Sequence, residues 1–135
     1  MTHIDPSNPL RNVKNVLIVE DELIVAMINE TLIRRLGYKV ISTIDNGKKA
    51  IEIARNTPID VILMDFYLNG GFTGLDTARA IRAFSNTPIL FVTASQDDAL
   101  IDAVASISNT SIIHKPIREQ TLKEKINALN EMVAL

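Results

Sequence analysis

The sequence predicts an α/β fold, a doubly wound parallel sheet of five strands with five helices on its two faces. Runs such as Val16–Val19, Val61–Met64 and Ile89–Val92 are short, wholly apolar and rich in β-branched residues. Stretches with apolar residues on one side alternate with these runs along the chain. Strands of a parallel sheet are buried on both faces, and each needs a crossover helix to reach the next. With 135 residues, the chain buries enough surface to fold as one domain without disulfide or structural metal.

Residues 1–12 read as a flexible extension, because Pro6, Pro9 and small polar residues discourage regular structure. The domain is expected over residues 13–135. Val16–Val19 forms the first strand. A helix follows, with Ile24, Ile28, Leu32 and Leu36 four residues apart, and Gly37 sits where a helix ends in a left-handed residue. Val40–Ile44 is the second strand, closed by the turn residues Asp45-Asn46-Gly47. Lys48–Asn56 is a helix with Ala50, Ile51 and Ala54 on one side, and Val61–Met64 is the third strand. A glycine-rich loop, Asn69–Gly74, leads into a helix with Ala78 and Ile81 inward. Ile89–Val92 is the fourth strand, and Asp97 or Asp98 caps the helix after it. Ser111–His114 is the fifth strand, followed from about Glu119 by a helix with Leu122, Ile126 and Leu129 in register.

Composition excludes several functions. A net charge of −2 and only six aromatics oppose a basic, base-stacking nucleic-acid surface. The longest apolar run, Leu23–Ile28, is far below the ~20 residues of a membrane span. The opening lacks the apolar core of a signal peptide, so a cytoplasmic protein is expected. Having no cysteine removes thiolate metal sites and cysteine nucleophiles.

Ligands of open α/β sheets bind outside the carboxyl ends of the strands, so the residues after each apolar run are the informative ones. Glu20 and Asp21 follow the first run, Asp65 the third, Thr93 the fourth and Lys115-Pro116 the fifth. The second ends only in the Asp45 turn, which fits an edge strand in the order 2-1-3-4-5. Singly, each residue has an ordinary reading: a helix cap, a loop carboxylate, a backbone-bonded hydroxyl, a solvated amine. Together they converge on one end of one sheet. Clustered carboxylates repel, and a hard divalent cation such as Mg²⁺ relieves that strain. A carboxylate also serves as a nucleophile toward phosphorus, with an ammonium and a hydroxyl as counter-charges.

These residues resemble the receiver domains of two-component response regulators. Val16-Leu-Ile-Val-Glu-Asp-Glu22, Asp65 after Val-Ile-Leu-Met, Phe91-Val-Thr-Ala94 and Lys115-Pro116 match in order and spacing, over about Val13 to Met132. The resemblance implies a flavodoxin-like fold and a phosphoprotein of a phosphorelay, not an enzyme acting on other substrates. It makes Asp65 the phosphoacceptor, charged by a sensor histidine kinase or histidine phosphotransfer protein. It gives Mg²⁺ to Glu20, Asp21, Asp65 and the backbone carbonyl of Tyr67. Thr93 is then the switch hydroxyl, Ala94 the small residue beside the phosphate and Lys115 the phosphate-binding ammonium. It further implies a cis Lys115–Pro116 bond. A downstream protein is expected on the face of the fourth helix, fifth strand and fifth helix, with a homodimer left open and neither nucleic acid nor membrane bound directly.

Three positions depart from the family pattern. Ile112 stands where the family carries a Tyr or Phe that moves with the threonine, Ile117 replaces a Phe, and the loop after Asp65 is one residue longer. Tyr67 and Ser95, two residues past Asp65 and Thr93, sit where side chains admit or block hydrolytic water, and their types predict a long-lived phosphoprotein. Two other readings remain: a receiver-fold interaction module independent of phosphorylation, and a Mg²⁺-dependent phosphatase of the haloacid-dehalogenase type. The latter needs a second Asp where Tyr67 stands.

Overall fold

All five apolar runs form strands, and every strand pair is parallel. The computed structural model describes residues 14–68 and 70–134, with side chains to 131. The extension expected over residues 1–12 lies outside them, as does Asn69. In chain order the elements are β1 (Asn15–Val19), α1 (Leu23–Arg35), β2 (Lys39–Ile44), α2 (Gly47–Asn56), β3 (Val61–Asp65), α3 (Gly74–Arg82), β4 (Ile89–Thr93), α4 (Asp98–Ala105), β5 (Thr110–His114) and α5 (Glu119–Ala134). The sheet order is β2-β1-β3-β4-β5, as predicted.

Strand residues alternate between two apolar layers, because successive side chains point to opposite faces. Leu17, Val19, Ile62, Met64 and Phe91 pack with residues of α2, α3 and α4. Val16, Ile18, Leu63, Leu90 and Val92 pack with Ile33 of α1 and Leu122, Ile126 and Leu129 of α5. The central strands β3 and β4 are buried along their whole length, which is why they read as unbroken apolar runs. No helix among the described residues is long and apolar enough to cross a membrane.

Local chemistry sets the helix ends. Asn46 caps α2 through its side chain, which accepts from Lys49 N at 2.9 Å. Thr73 and Asp76 form a reciprocal capping box at the start of α3. Asp97, not Asp98, caps α4, accepting from Ala99 N at 3.0 Å. Gly37 follows the end of α1 with φ of 86°, a conformation that costs glycine little.

Ile24, Ile28, Leu32 and Leu36 do not form a single inward row on α1. Ala26, Asn29 and Ile33 face the core, while Ile24 is 73% exposed and Ile28 54% exposed. A spacing of four residues advances about 40° around a helix of 3.6 residues per turn, so the three steps from Ile24 to Leu36 sweep about 120°, far off one face. Leu32 and Leu36 therefore reach the core, and the N-terminal members rotate out beside Leu23 and Met27, which are also exposed.

Candidate active site

Parallel register aligns the strand ends. Val19 lies opposite Met64, Asp65 opposite Val92 and Thr93 opposite His114, so the residues that finish or follow these strands meet at one edge. Two backbone bonds secure the junctions: Glu20 N donates to Ile44 O at 2.9 Å, and Lys115 N donates to Thr93 O at 2.9 Å. Glu20, Asp21 and Asp65 each offer a carboxylate oxygen, and these atoms lie within 4.8 Å of one another. The Lys115 Nζ stands 3.8 Å from Asp65 Oδ1 and 4.0 Å from Glu20 Oε1. The Lys115–Pro116 bond is cis, as the resemblance implies.

This cluster is electrostatically unresolved. Glu20 and Asp65 are buried, at 3% and 5% exposure, and neither oxygen of Glu20 accepts a hydrogen bond. Burial pushes the Glu20 carboxyl up to about 8, and the neighbouring Asp65 charge adds to the shift. Lys115 opposes the shift less effectively. A buried acid without a donor is costly, and a hard cation removes both the repulsion and the orphaned oxygens. The all-oxygen, carboxylate-rich donor set therefore fits a divalent cation such as Mg²⁺.

The remaining predicted residues take up distinct surroundings. Asp65 Oδ1 accepts from Tyr67 N at 3.3 Å, while the Tyr67 side chain is largely exposed and its ring meets Phe66 edge-on. Thr93 is buried, and its Oγ1 accepts from Ser95 N at 3.0 Å, which leaves the hydroxyl proton available to another acceptor. Ala94, the small residue beside Thr93, is exposed. Ile112, opposite Phe91 in register, is half-buried against the α2–α4 core. Ile117 packs in the other layer.

Two features were not anticipated. Gly74, the first residue of α3, lies so close to the β3 end that an added Cβ would stand 2.1 Å from the Asp65 carbonyl oxygen. Its N–H also donates to Phe66 O at 2.9 Å. The helix start thus seats the backbone that carries Asp65, and the only sequence signal was a glycine where a helix begins. Asp45 also borders the site, in a 380 Å³ cleft shared with Glu20, Asp21 and Lys49. The end of the edge strand is less remote than its place in the order suggests.

Comparisons with known proteins agree with this arrangement. The profile of the response regulator receiver domain matches residues 16–127. The chain is 34% identical to the chemotaxis protein CheY of Pseudomonas aeruginosa, over 87% of this chain and 97% of that one. It is 28% identical to the transcriptional regulatory protein YvrH of Bacillus subtilis but spans only 48% of it, against 84% of this chain. Among solved structures, the receiver domain of a modulated diguanylate cyclase from Desulfovibrio desulfuricans superposes with a TM-score of 0.82 at 32% identity, covering 89% of this chain and 95% of that one. The receiver domain of a sensor histidine kinase from Pseudomonas aeruginosa, solved with magnesium in its active-site cleft, gives 0.76 at 28% identity, covering 88% and 98%. A matched domain profile over most of the chain, the 2-1-3-4-5 sheet and the acid cluster at its carboxyl edge lead to one assignment: the chain belongs to the response regulator receiver domain family of two-component signalling.

Proposed function

We propose that this receiver is a cytoplasmic signalling switch that takes a phosphoryl group on Asp65 from a histidine kinase or phosphotransfer protein and thereby changes partner binding. The observation that carries the reading is the buried Asp65 carboxylate, 3.8 Å from the Lys115 ammonium and clustered with the carboxylates of Glu20 and Asp21. In the transfer, an Asp65 carboxylate oxygen attacks phosphorus and forms the O–P bond as the N–P bond to the donor imidazole breaks. The electron pair stays on the imidazole nitrogen. Glu20, Asp21, Asp65 and the Tyr67 carbonyl would hold Mg²⁺, which offsets charge on the carboxylates and phosphoryl oxygens when bound. Lys115 pairs with one phosphoryl oxygen, and the Thr93 hydroxyl donates to another in a charge-assisted hydrogen bond. Ala94 leaves the approach open. The protein catalyses only its own phosphoryl transfer and dephosphorylation.

The exposed apolar turn of α1, with Leu23, Ile24 and Met27, borders the acids and supports docking of a protein donor. The output face in this reading is α4–β5–α5, which flanks the strand carrying Ile112. That isoleucine also favours a second reading, an interaction module whose partner binding does not respond to phosphorylation.

Incubation with Mg²⁺ and acetyl phosphate tests the proposal. A base-labile phosphate should map to Asp65, and Asp65→Asn should take none. Incorporation elsewhere, or none in the parent, overturns it. Partner binding that ignores a phosphate shown to sit on Asp65 would establish the second reading.

A further inference from the structure

The acid cluster is bordered by a second cation, which the phosphoryl-transfer chemistry does not use. Val19 lies opposite Ile44 in register, and Glu20 N donates to Ile44 O at 2.9 Å, so Asp45 directly follows the residue that Glu20 grips. Asp45 and Lys49 line the same 380 Å³ cleft as Glu20 and Asp21. Lys49 is the third residue of α2, where the helix dipole favours an anion over a cation. The first turn of α2 nevertheless holds two lysines and no acid. Lys48 is accounted for by the Phe72 ring, 5.8 Å from its Nζ. Lys49 instead rests on Asp45, Nζ to Oδ1 at 3.5 Å, an exposed pair of the kind that contributes little and breaks readily. That carboxylate oxygen already accepts from Asn46 Nδ2 at 3.0 Å. The Glu20 oxygens accept no hydrogen bond, and Lys115 stands 4.0 Å from one of them, on the Asp65 side.

We propose that Lys49 is a tethered competitor of the metal, and that Asp45 sets the Mg²⁺ affinity by holding its ammonium off the Glu20 and Asp21 carboxylates. The proposal rests on the reading that these acids bind Mg²⁺. With Asp45 in place the ammonium has an exposed acceptor of its own, and the three clustered acids stay open to a divalent ion. Once that acceptor is neutral, the carboxylates left in the lining of the cleft are Glu20 and Asp21. The lysine stem is long and flexible, so the ammonium turns to them from the first turn of α2. Its charge then opposes entry of a second, divalent cation. Asp45 and Lys49 are positioning residues in this arrangement, acting through the metal ligands and not as ligands themselves.

The test is a set of Mg²⁺ titrations of the full chain at constant ionic strength, read from the amide shifts of Asp21 and Asp65. Asp45→Asn should weaken Mg²⁺ binding about three- to tenfold, as expected when a unit charge moves close to a partly screened site. Lys49→Met should tighten binding about two- to threefold, because even a restrained ammonium repels a nearby cation. With both substitutions together, the Asp45 change should cost less than about twofold relative to Lys49→Met alone, since the competitor is gone. Lys48→Met removes the same charge one position away, from the Phe72 ring, and should leave the affinity within about 1.5-fold. Amide spectra unchanged away from the cleft show that each variant keeps the fold. An equal loss on Asp45→Asn with and without Lys49 would reduce the pair to a diffuse field and overturn the proposal. Equal effects of Lys48→Met and Lys49→Met would do the same. A parent that binds Mg²⁺ without coupling between Asp45 and Lys49 sinks only this inference. A parent whose amides ignore millimolar Mg²⁺ sinks the metal reading itself, and this inference with it.

Discussion

The two ends of the sheet are built on opposite principles. At the end where β4 and β5 begin, the Arg82 guanidinium donates to the carbonyls of Ser85 and Thr87 at 2.8 Å, Ser108 at 3.0 Å and Asn109 at 3.3 Å. Asn15 and Asp60 exchange bonds beside it, Asn15 N to Asp60 Oδ2 at 2.6 Å and Asp60 N to Asn15 O at 2.8 Å. One cation thus ties together the loops before two strands, and polar groups there find partners within the chain. At the other end three carboxylates converge, and the Glu20 oxygens have no donor. Stability is concentrated where polar groups are satisfied. Chemistry is available where they are left wanting a cation.

The contrast predicts substitutions of opposite sign. Arg82→Ala should cost the most, about 2–4 kcal/mol, because several charge-assisted bonds are lost and loop carbonyls are left half-covered. Urea denaturation measures it, and Arg82→Lys should recover only part, since an ammonium cannot span the same carbonyls as a planar fork. A loss within experimental error would remove the satisfied end from the comparison.

At the acid end the sign reverses. Glu20→Gln should stabilise the protein in EDTA by about 1–3 kcal/mol at neutral pH or above, because a buried, repelled acid becomes a neutral isostere. The same variant should lose most of the Mg²⁺-dependent rise in melting temperature expected of the parent through linkage. A destabilised variant in EDTA would show that the acids are not in conflict.

Titration sharpens the same point. The folded state holds Glu20 protonated up to about pH 8, whereas the unfolded chain releases that proton near 4.5. Folding therefore binds a proton between those values, and stability in EDTA should fall as pH rises from 4.5 towards 8. The slope from one proton is at most about 1.4 kcal/mol per pH unit. Denaturation at several pH values should show it, and Glu20→Gln should flatten it.

The smallest effect concerns persistence. The exposed Tyr67 lies two residues past the acceptor, with its N–H on Asp65 Oδ1, and Ser95, its hydroxyl accepting from Asp97 N at 3.1 Å, carries no charge to orient water. Once Asp65 is phosphorylated, Tyr67→Asn should speed phosphate loss by about two- to tenfold, an effect near 1 kcal/mol on the barrier. Unchanged decay would mean that the ring does not shield the phosphate.

Much of this was legible in the chain. Strands buried on both faces must be continuous apolar runs, so Val61–Met64 and Ile89–Val92 announced themselves. The silent end of the second run fitted an edge strand in the order 2-1-3-4-5. The α4 cap, decided within two residues, was narrowed to Asp97 or Asp98, whereas Asn46 read only as a turn residue and its capping of α2 was seen in the fold. Glu20, Asp21, Asp65, Thr93 and Lys115 stood out because each directly ends or follows a strand. Only the fold decided the rest. The inward face of α1 depends on where the helix axis lies over the sheet, and a four-residue repeat does not carry that angle. The role of Gly74 depends on a backbone approach between residues nine apart. The charge state of Glu20 depends on burial and on Asp65, forty-five positions away. Local pattern fixes secondary structure because its hydrogen bonds and side-chain periodicity are short-range, whereas desolvation and close contact are created only when distant segments pack.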